Sequence, residues 1–213
     1  MKLAIIGAGE QAKEILSLYN RYEYVGDKYD DVILVDLCAD PENGIIAEDV
    51  FFKKTVEEYD VIVAMGEPVM REKMLKKYGE RGYRFATYIH SSVVVGMDCT
   101  INPGAVLLPF VYIGQDTVIG ENTLVHAGAR IENNCNIGSN CMISSGAFIG
   151  AKTNIGNTTF VGPNAAVKDG LSIGDNVIIG MSSCVIRNVD DKAVMVGNPS
   201  RQLRENTTGR VFT

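Results

Sequence analysis

One residue in six, from Val95 to Val185, is Val, Ile or Leu without a break. The set is Val95, Ile101, Leu107, Ile113, Ile119, Val125, Ile131, Ile137, Ile143, Ile149, Ile155, Val161, Val167, Ile173, Ile179 and Val185. Four residues after each comes a second, mostly small position, held among others by Cys99, Ala105, Thr123, Ala129, Cys135, Cys141, Thr159 and Val189. Gly often follows the large aliphatic directly, as in Ile113-Gly114 and Ile137-Gly138. An α-helix cannot use this pattern. At roughly 100° per residue, a step of six turns about 600° and smears the apolar groups around the cylinder. The density of Gly and Asn also opposes a helix. A short strand and a tight turn per hexad fit instead. Three hexads close one triangular coil of eighteen residues, with the large aliphatics pointing in and stacking on their equivalents. Gly and Asn then serve turn positions with unusual dihedrals. One hexad cannot bury its apolar side alone, so the stack needs its neighbours. An all-β parallel coil is predicted from about Val95 to about Val189.

The first 90 residues follow a different rule. Leu3–Ile6 reads as a buried strand running into Gly7-Ala8-Gly9-Glu10-Gln11-Ala12, and a helix is expected from about Glu10 to Asn20. Val32–Val35 is a second strand ending at Asp36, and Asp60–Met65 a third ending at Gly66. A helix then starts at Pro68, and Arg84–Ile89 forms a fourth strand leading to the coil. Strands alternating with helices imply a small parallel sheet of Rossmann-like α/β type, with ligands at the carboxyl ends of its strands. Gly7-x-Gly9-x-x-Ala12 after a strand matches the dinucleotide fingerprint, in which a helix N-terminus approaches phosphate oxygens. Asp36 stands where a ribose hydroxyl is bound. The same pattern also suits a ligand-free turn, and the unit is too short for the usual NAD cradle. The division expected is 1–90 for the Rossmann-like domain and 91–213 for the coil and a C-terminal tail.

Net charge is −6 with no block of like charges, which argues against nucleic acid as a partner. No stretch reaches the length of a membrane span, and the short apolar start is expected to be a strand of a cytoplasmic protein. The five cysteines form no CxxC pair, and two histidines at unrelated spacing predict no metal site.

The Gly7–Ala12 turn, Asp36, Ala64-Met65-Gly66, Ile89-His90-Ser91-Ser92, the hexads and Gly197-Asn198-Pro199-Ser200-Arg201 together resemble the NeuD/PglD type of sugar O-acyltransferases and nucleotide-aminosugar N-acetyltransferases. The resemblance implies that the coil is a left-handed parallel β-helix of hexapeptide repeats, the exception to right-handed crossovers. It also implies a homotrimer, a nucleotide-aminosugar bound by the first domain, and acetyl-CoA between neighbouring coils. Substrate contacts are then expected at Gly7, Gly9, Gln11, Asp36, Gly66 and Glu67. Gln11 and Glu67 depart from the family's usual His and Asn. The family's general base is a His in a hexad that here reads Ile131-Glu132-Asn133-Asn134-Cys135-Asn136, so Asn133 replaces it. Asn takes up no proton near neutral pH. A second family His is Met142 here. His126, expected outside the coil on a face or corner, is the candidate replacement base, with Glu132 as an orienting or proton-accepting group. Ala151 stands where a backbone N–H polarises the thioester carbonyl. Lys152, Lys168, Arg187 and Arg201, the last presented by the Gly197–Pro199 turn, are candidate partners of the CoA phosphates. Three readings follow: N-acetylation of a nucleotide-linked aminosugar, O-acetylation of a sugar hydroxyl with His126 as base, and a non-catalytic CoA or nucleotide-sugar binder.

Overall fold

The computed structural model describes residues 1–26 and 28–211. Phe212 and Thr213, the last of the expected tail, lie outside the described residues.

The first domain contains β1 (Lys2–Ile6), α1 (Glu10–Arg21), β2 (Tyr24–Val25), β3 (Asp31–Asp36), β4 (Ile45–Ala47), α2 (Glu48–Phe51), β5 (Tyr59–Val63), α3 (Pro68–Gly79) and β6 (Arg84–Phe85). Five strands form one parallel sheet in the order β4-β3-β1-β5-β6. The order reverses between β1 and β5, which sets a crevice at the carboxyl ends of those two strands. β1 and β5 are covered on both sides and, apart from Lys2 and the buried Asp60, which pairs with Arg84, read as apolar runs, as buried parallel strands do. β4 was not visible as an element in the sequence. The expected strand over Arg84–Ile89 is two pieces: β6 ends the first sheet, and β7 (Tyr88–His90) begins the coil.

From β8 (Val94–Val95) to β23 (Cys184–Val185), sixteen two-residue strands follow in strict rotation over three faces. Face I carries β7, β10 (Val106–Leu107), β13 (Leu124–Val125), β16 (Met142–Ile143), β19 (Phe160–Val161), β22 (Ile178–Ile179) and β24 (Ala193–Val196). Face II carries every third strand from β8 to β23, and face III every third from β9 (Thr100–Ile101) to β21 (Ser172–Ile173). Strands on one face pair in parallel with the residue eighteen positions on, as Ile89 with Leu107 and Ile131 with Ile149. The coil therefore starts one hexad before Val95. It also runs past Val189, because the last turn is two residues short: Ile179 pairs with Met195, and Ile173 bridges to Val189.

Gly and Asn do take the unusual dihedrals, but at the third residue after the large aliphatic and not directly after it. That left-handed position, used after every large aliphatic from Val95 to Ile179, is held by Gly104, Gly128, Gly146 and Gly170 with φ from 67° to 75°, and by residues such as Asp98, Asn122, Asn134, Lys152 and Thr158 with φ from 54° to 59°. Asp and Asn tolerate this region through local side-chain hydrogen bonds. The glycines just after the aliphatics serve space: a Cβ on Gly120 would sit 2.4 Å from Gly138 of the next coil. The small fourth-step position is likewise a hydrogen-bonded ladder as well as filler. Thr123 donates its hydroxyl to Gly138 O (2.7 Å) and accepts from Cys141 N (3.0 Å). The Cys135 and Cys141 thiols reach Gly150 O and Gly156 O at 3.2 and 3.0 Å. Burial pushes the Cys141 thiol up to about 12, so it stays a protonated donor.

The outward side of face I docks on the first domain. Tyr88, Val106, Leu108 and Leu124 share one apolar core with Leu3, Ile5, Ala12 and Ile15. Farther along, Met142, Phe160, Ile178 and Val194 are covered by Val211 of the tail. α3 buries Pro68, Arg71, Met74 and Tyr78 at helical spacing. Arg71 is fully buried and, among the described residues, has no carboxylate partner. Its guanidinium donates to Val63 O (2.8 Å) and Met65 O (3.0 Å) in the first domain, and to Asn122 O (2.7 Å) and Oδ1 (3.0 Å) in the coil. Asn122 Nδ2 returns a bond to Arg71 O and another to Asn140 Oδ1. Burial pulls Arg71 down to about 9, which leaves it charged at neutral pH.

Thr123→Val should keep the volume but strip the Gly138 carbonyl and the Cys141 N–H of their partner. A loss of about 1–3 kcal/mol in denaturant-unfolding stability is expected, with an unchanged far-UV spectrum.

Candidate active site

The coil rises about 4.8 Å per eighteen residues. Residues that differ by eighteen therefore form a column along one edge. The edge between faces II and III brings together most of the expected catalytic and CoA-binding residues. Glu132, Gly150 and Lys168 form one column; Gln115, Asn133, Ala151, Asp169 and Arg187 form the next. Lys152 N donates to Asn133 O at 2.9 Å, which ties the two expected sites directly. The Asn133 side chain is not free: its Oδ1 accepts from Gln115 N at 3.1 Å. Glu132 pairs with Arg130 at 2.8 Å, and the Arg130 guanidinium also lies 5.1 Å from the Tyr112 ring centroid. Ala151 has no acceptor to offer the amide one coil below. Among the described residues, neither the Asn133 nor the Ala151 N–H donates within the chain. The Asn133 amide is thus open beside half-buried side chains, whereas the Asp169 carboxylate of the next coil stands against the Gly150–Ala151 peptide.

At the far end of this edge lies a pocket of about 330 Å³ lined by Ile186, Arg187, Asn188, Pro199, Ser200 and Arg201, with Met195 and Gln202. The Gly197–Pro199 turn is held against the last coil: Gly197 N donates to Ser183 Oγ (3.1 Å) and Ser200 N to Cys184 O (2.8 Å). Lys152 and Lys168 are exposed between this pocket and Asn133. Four cations are therefore strung along a single edge.

His126 lies elsewhere, on the edge between faces I and II. It is not on a free outer surface. Its ring sits at the seam with the first domain, and Nε2 is buried with no hydrogen-bond partner, as is Ser144 Oγ one coil above. Desolvation, with the Arg71 charge as a second cause, pushes its pKa down to about 4. His90 is buried at the same junction: Nδ1 accepts from Ser92 N at 3.1 Å, and burial lowers its pKa.

The expected substrate residues gather at the β1–β5 crevice. Gly7 has φ +102°, and a Cβ there would lie 3.2 Å from Ala64 O, so only Gly fits between the strand ends. Asp36 does not face an open ribose site alone. Its Oδ2 accepts from Ala8 N at 2.7 Å and its Oδ1 from Leu37 N at 2.6 Å, so it holds the Gly turn. Gly9 is exposed, and Gln11 bonds Glu14 on the outside of α1 (3.2 Å). Gly66 is held from behind by Arg71 through Met65 O. Glu67 precedes α3, and its Oε1 accepts from Val211 N at 2.6 Å, so part of its carboxylate is engaged by the tail. A pocket of about 120 Å³ lies between the strand ends and α3, lined by Gly7, Asp36, Met65, Met70, Lys73 and Lys77 among others. Sequence reasoning missed Arg71 and the α3 lysines; the apolar spacing of α3 puts Arg71 on its buried stripe, which was the available signal.

A Rossmann-like unit docked on a three-sided hexad coil, with an open edge and a strand-end crevice, defines a two-module hexapeptide-repeat protein. The PglD N-terminal domain matches residues 2–78, and the bacterial transferase hexapeptide (six repeats) matches 116–151 and 152–187. The chain belongs to the NeuD/PglD type of hexapeptide-repeat proteins, and its coil is the left-handed parallel β-helix. Among solved structures it is similar to the acetyltransferase domain of PglB from Neisseria gonorrhoeae FA1090 (22% identity, TM-score 0.85, 95% of this chain and 99% of that one). It is also similar to PerB from Caulobacter crescentus in complex with CoA and GDP-perosamine (25% identity, TM-score 0.83, 95% and 97%). A Bifunctional protein GlmU from Alkaliphilus metalliredigens (strain QYMF) is 37% identical over 79 residues, 32% of this chain. The chain spans only 17% of that relative's length.

The depressed His126 pKa generates a pH prediction. A pKa lowered on folding makes the native state hold fewer protons than the unfolded one between about 4 and 6.5. The stability that neutral His126 contributes is complete above about pH 6.5 and is lost as the pH falls through that window. On the order of 3 kcal/mol should go. His126→Gln should flatten the profile in urea unfolding, and NMR titration should show no imidazolium at His126 above pH 5.

Proposed function

We propose that the protein transfers the acetyl group of acetyl-CoA to the amine of a nucleotide-linked aminosugar. The observation that carries this reading is the edge between faces II and III, where the open amide of Asn133 runs into a line of cations ending at Arg187 and Arg201. Cations along an edge suit the phosphates of CoA, and an unengaged backbone N–H suits a thioester oxyanion. The similar PglB domain is described in complex with acetyl coenzyme A, and PerB with CoA and GDP-perosamine. A histidine-to-asparagine mutant of the Caulobacter enzyme is likewise described with CoA and GDP-perosamine bound, so this fold accepts both when an imidazole is lost.

In this reading the neutral amine attacks the thioester carbon. The negative charge that develops on oxygen is met by the Asn133 N–H. The C–S bond breaks, sulfur leaves as thiolate, and the proton shed by nitrogen passes to water or to the departing sulfur. No side chain has to take it. That matters because Asn133 cannot, and because His126 is half-buried on another edge, at the domain seam, and weakly basic. A hydroxyl acceptor would need such a base more than an amine does, so the amine is favoured.

Self-association as a homotrimer belongs to the same reading. Face II exposes apolar side chains on both sides of Arg130, with Val94 58% and Phe148 37% exposed, and Phe110 and Met181 at its edge. Exposed apolar groups rimmed by polar ones in this way suit a protein interface. Phe148→Arg should convert a trimer to monomers in light scattering.

A thiol-release assay across UDP-, GDP- and dTDP-linked aminosugars tests the activity. Arg187→Ala with Arg201→Ala should raise KM for acetyl-CoA about tenfold while kcat stays within about twofold. No thiol release with any aminosugar, despite bound acetyl-CoA, would sink the reading.

A further inference from the structure

The pocket between Gly7, Asp36 and α3 measures about 120 Å³. Sites that enclose a drug-sized ligand are about 300–1,000 Å³, so a nucleotide-sugar would continue outside it. The fingerprint would send its diphosphate to the Gly7–Gly9 turn. That turn is already served by an anion: the Asp36 carboxylate takes the Ala8 N–H at 2.7 Å. A phosphate on the Ala8 amide would meet that like charge at contact distance, which leaves it only the Gly9, Glu10 and Gln11 amides at the start of α1, beside the Glu10 side chain.

The space on the other side of α3 has the opposite character. A groove of about 460 Å³ shares Met70 and Lys73 with the pocket. Its further lining is Val69, Glu72, Lys76, Thr208 and Arg210, so three cations face one carboxylate in a chain of net charge −6. Lys76 lies 4.0 Å from Glu80; among the described residues, Lys73 and Arg210 have no ion-pair partner. Arg210 comes from the C-terminal tail, which is anchored on both sides of it. Asn206 N donates to Lys192 O and Asn206 Nδ2 to Asn176 O (2.6 and 3.0 Å). Val211 N donates to Glu67 Oε1, and its side chain packs on Met142, Phe160, Ile178 and Val194.

We infer that the diphosphate of the nucleotide-sugar lies in the groove between α3 and the tail, on Lys73, Lys76 and Arg210, and not on the Gly7–Gly9 turn. The inference rests on the nucleotide-aminosugar reading above. It makes the tail part of the substrate site. Lys73, which lines both spaces, stands where the nucleoside end of the ligand passes to its phosphates. Exposed cations of this kind act through charge, so their effect weakens with salt.

Calorimetric titration of the full chain without acetyl-CoA tests this. The probes are UDP, GDP, dTDP, the matching nucleosides, and inorganic pyrophosphate as a probe that carries no base. Pyrophosphate and one nucleoside diphosphate should bind. Lys73→Ala and Arg210→Ala should each weaken both about tenfold, Arg210→Lys should restore much of the loss, and nucleoside affinity should move less than twofold. Undiminished diphosphate binding in both Ala variants would overturn the assignment while leaving the nucleotide-sugar reading standing. So would an equal loss of nucleoside and diphosphate. If no nucleotide and no pyrophosphate binds, while acetyl-CoA does, the nucleotide-sugar reading fails and takes this one with it.

Discussion

Axial stacking of the coil is the constraint on which the molecule depends. Each turn of eighteen residues must land one strand spacing above the last, with aliphatic on aliphatic and amide on carbonyl. That requirement leaves room for nothing but hydrogen beside the peptide at Gly114, Gly120 and Gly138, where an added Cβ would come within 2.4–2.7 Å of the next coil. It also demands a left-handed residue at the third step, at a cost that Asp and Asn hold down. The reward is long-range order from local rules. A residue's edge and height follow from its number, so Asn133, Ala151 and Arg187 form a line with no loop or helix to arrange them. Functional groups carried on rigid elements are placed more tightly than groups on loops.

The second constraint is the seam between the modules. Removing a guanidinium from water without a counter-charge is expensive, and Arg71 is compensated by carbonyls alone. Those carbonyls belong to two bodies: Val63 and Met65 at the end of β5, Asn122 on the coil. The charge is therefore satisfied only while the modules are docked. Its cost turns into specificity for one docked arrangement, since any slip would strand the cation. The same charge helps keep His126 neutral. A crevice in one module and an edge of the other are thus fixed in a single frame.

The hexads were legible because a period of six has one structural solution, and the repeat matched every rung from β8 to β23. The α/β unit was legible because β1, β3 and β5 are short apolar runs followed by Gly or Asp. What stayed hidden depended on contacts with no local signature. β4 is three residues long and gains its identity only by pairing with β3. The last coil closes two residues early, so counting by six from Val185 misses Met195. Thr123 and Cys141 look like small filler until their hydroxyl and thiol are seen to bond the coil. His126 follows an inward Val, which places it outside the coil but says nothing of the domain that covers that face. Glu67 and the tail are 144 residues apart in sequence, and a surface charge gives no hint of such a partner.

Asn133 shows how the stacking rule and the chemistry meet. On the edge between faces III and I, Asn157, Asp175 and Asp191 each accept an amide of the coil below, and these bonds brace the turns. Asn133 does the same for Gln115 on the edge between faces II and III. A side chain committed to that bond is a brace and has no basicity to offer. On the amine-transfer reading proposed above, two things follow at this edge. Charge stabilisation must come from the backbone, which is least perturbed where the next coil supplies no acceptor, and Ala151 is the residue that supplies none. Proton removal must come from the acceptor's own state, so the reactive population is the unprotonated amine, and turnover rises with pH until that amine is fully neutral. Positioning then supplies the acceleration that a general base would otherwise share, which is a task suited to an edge whose atoms are fixed by the coil itself.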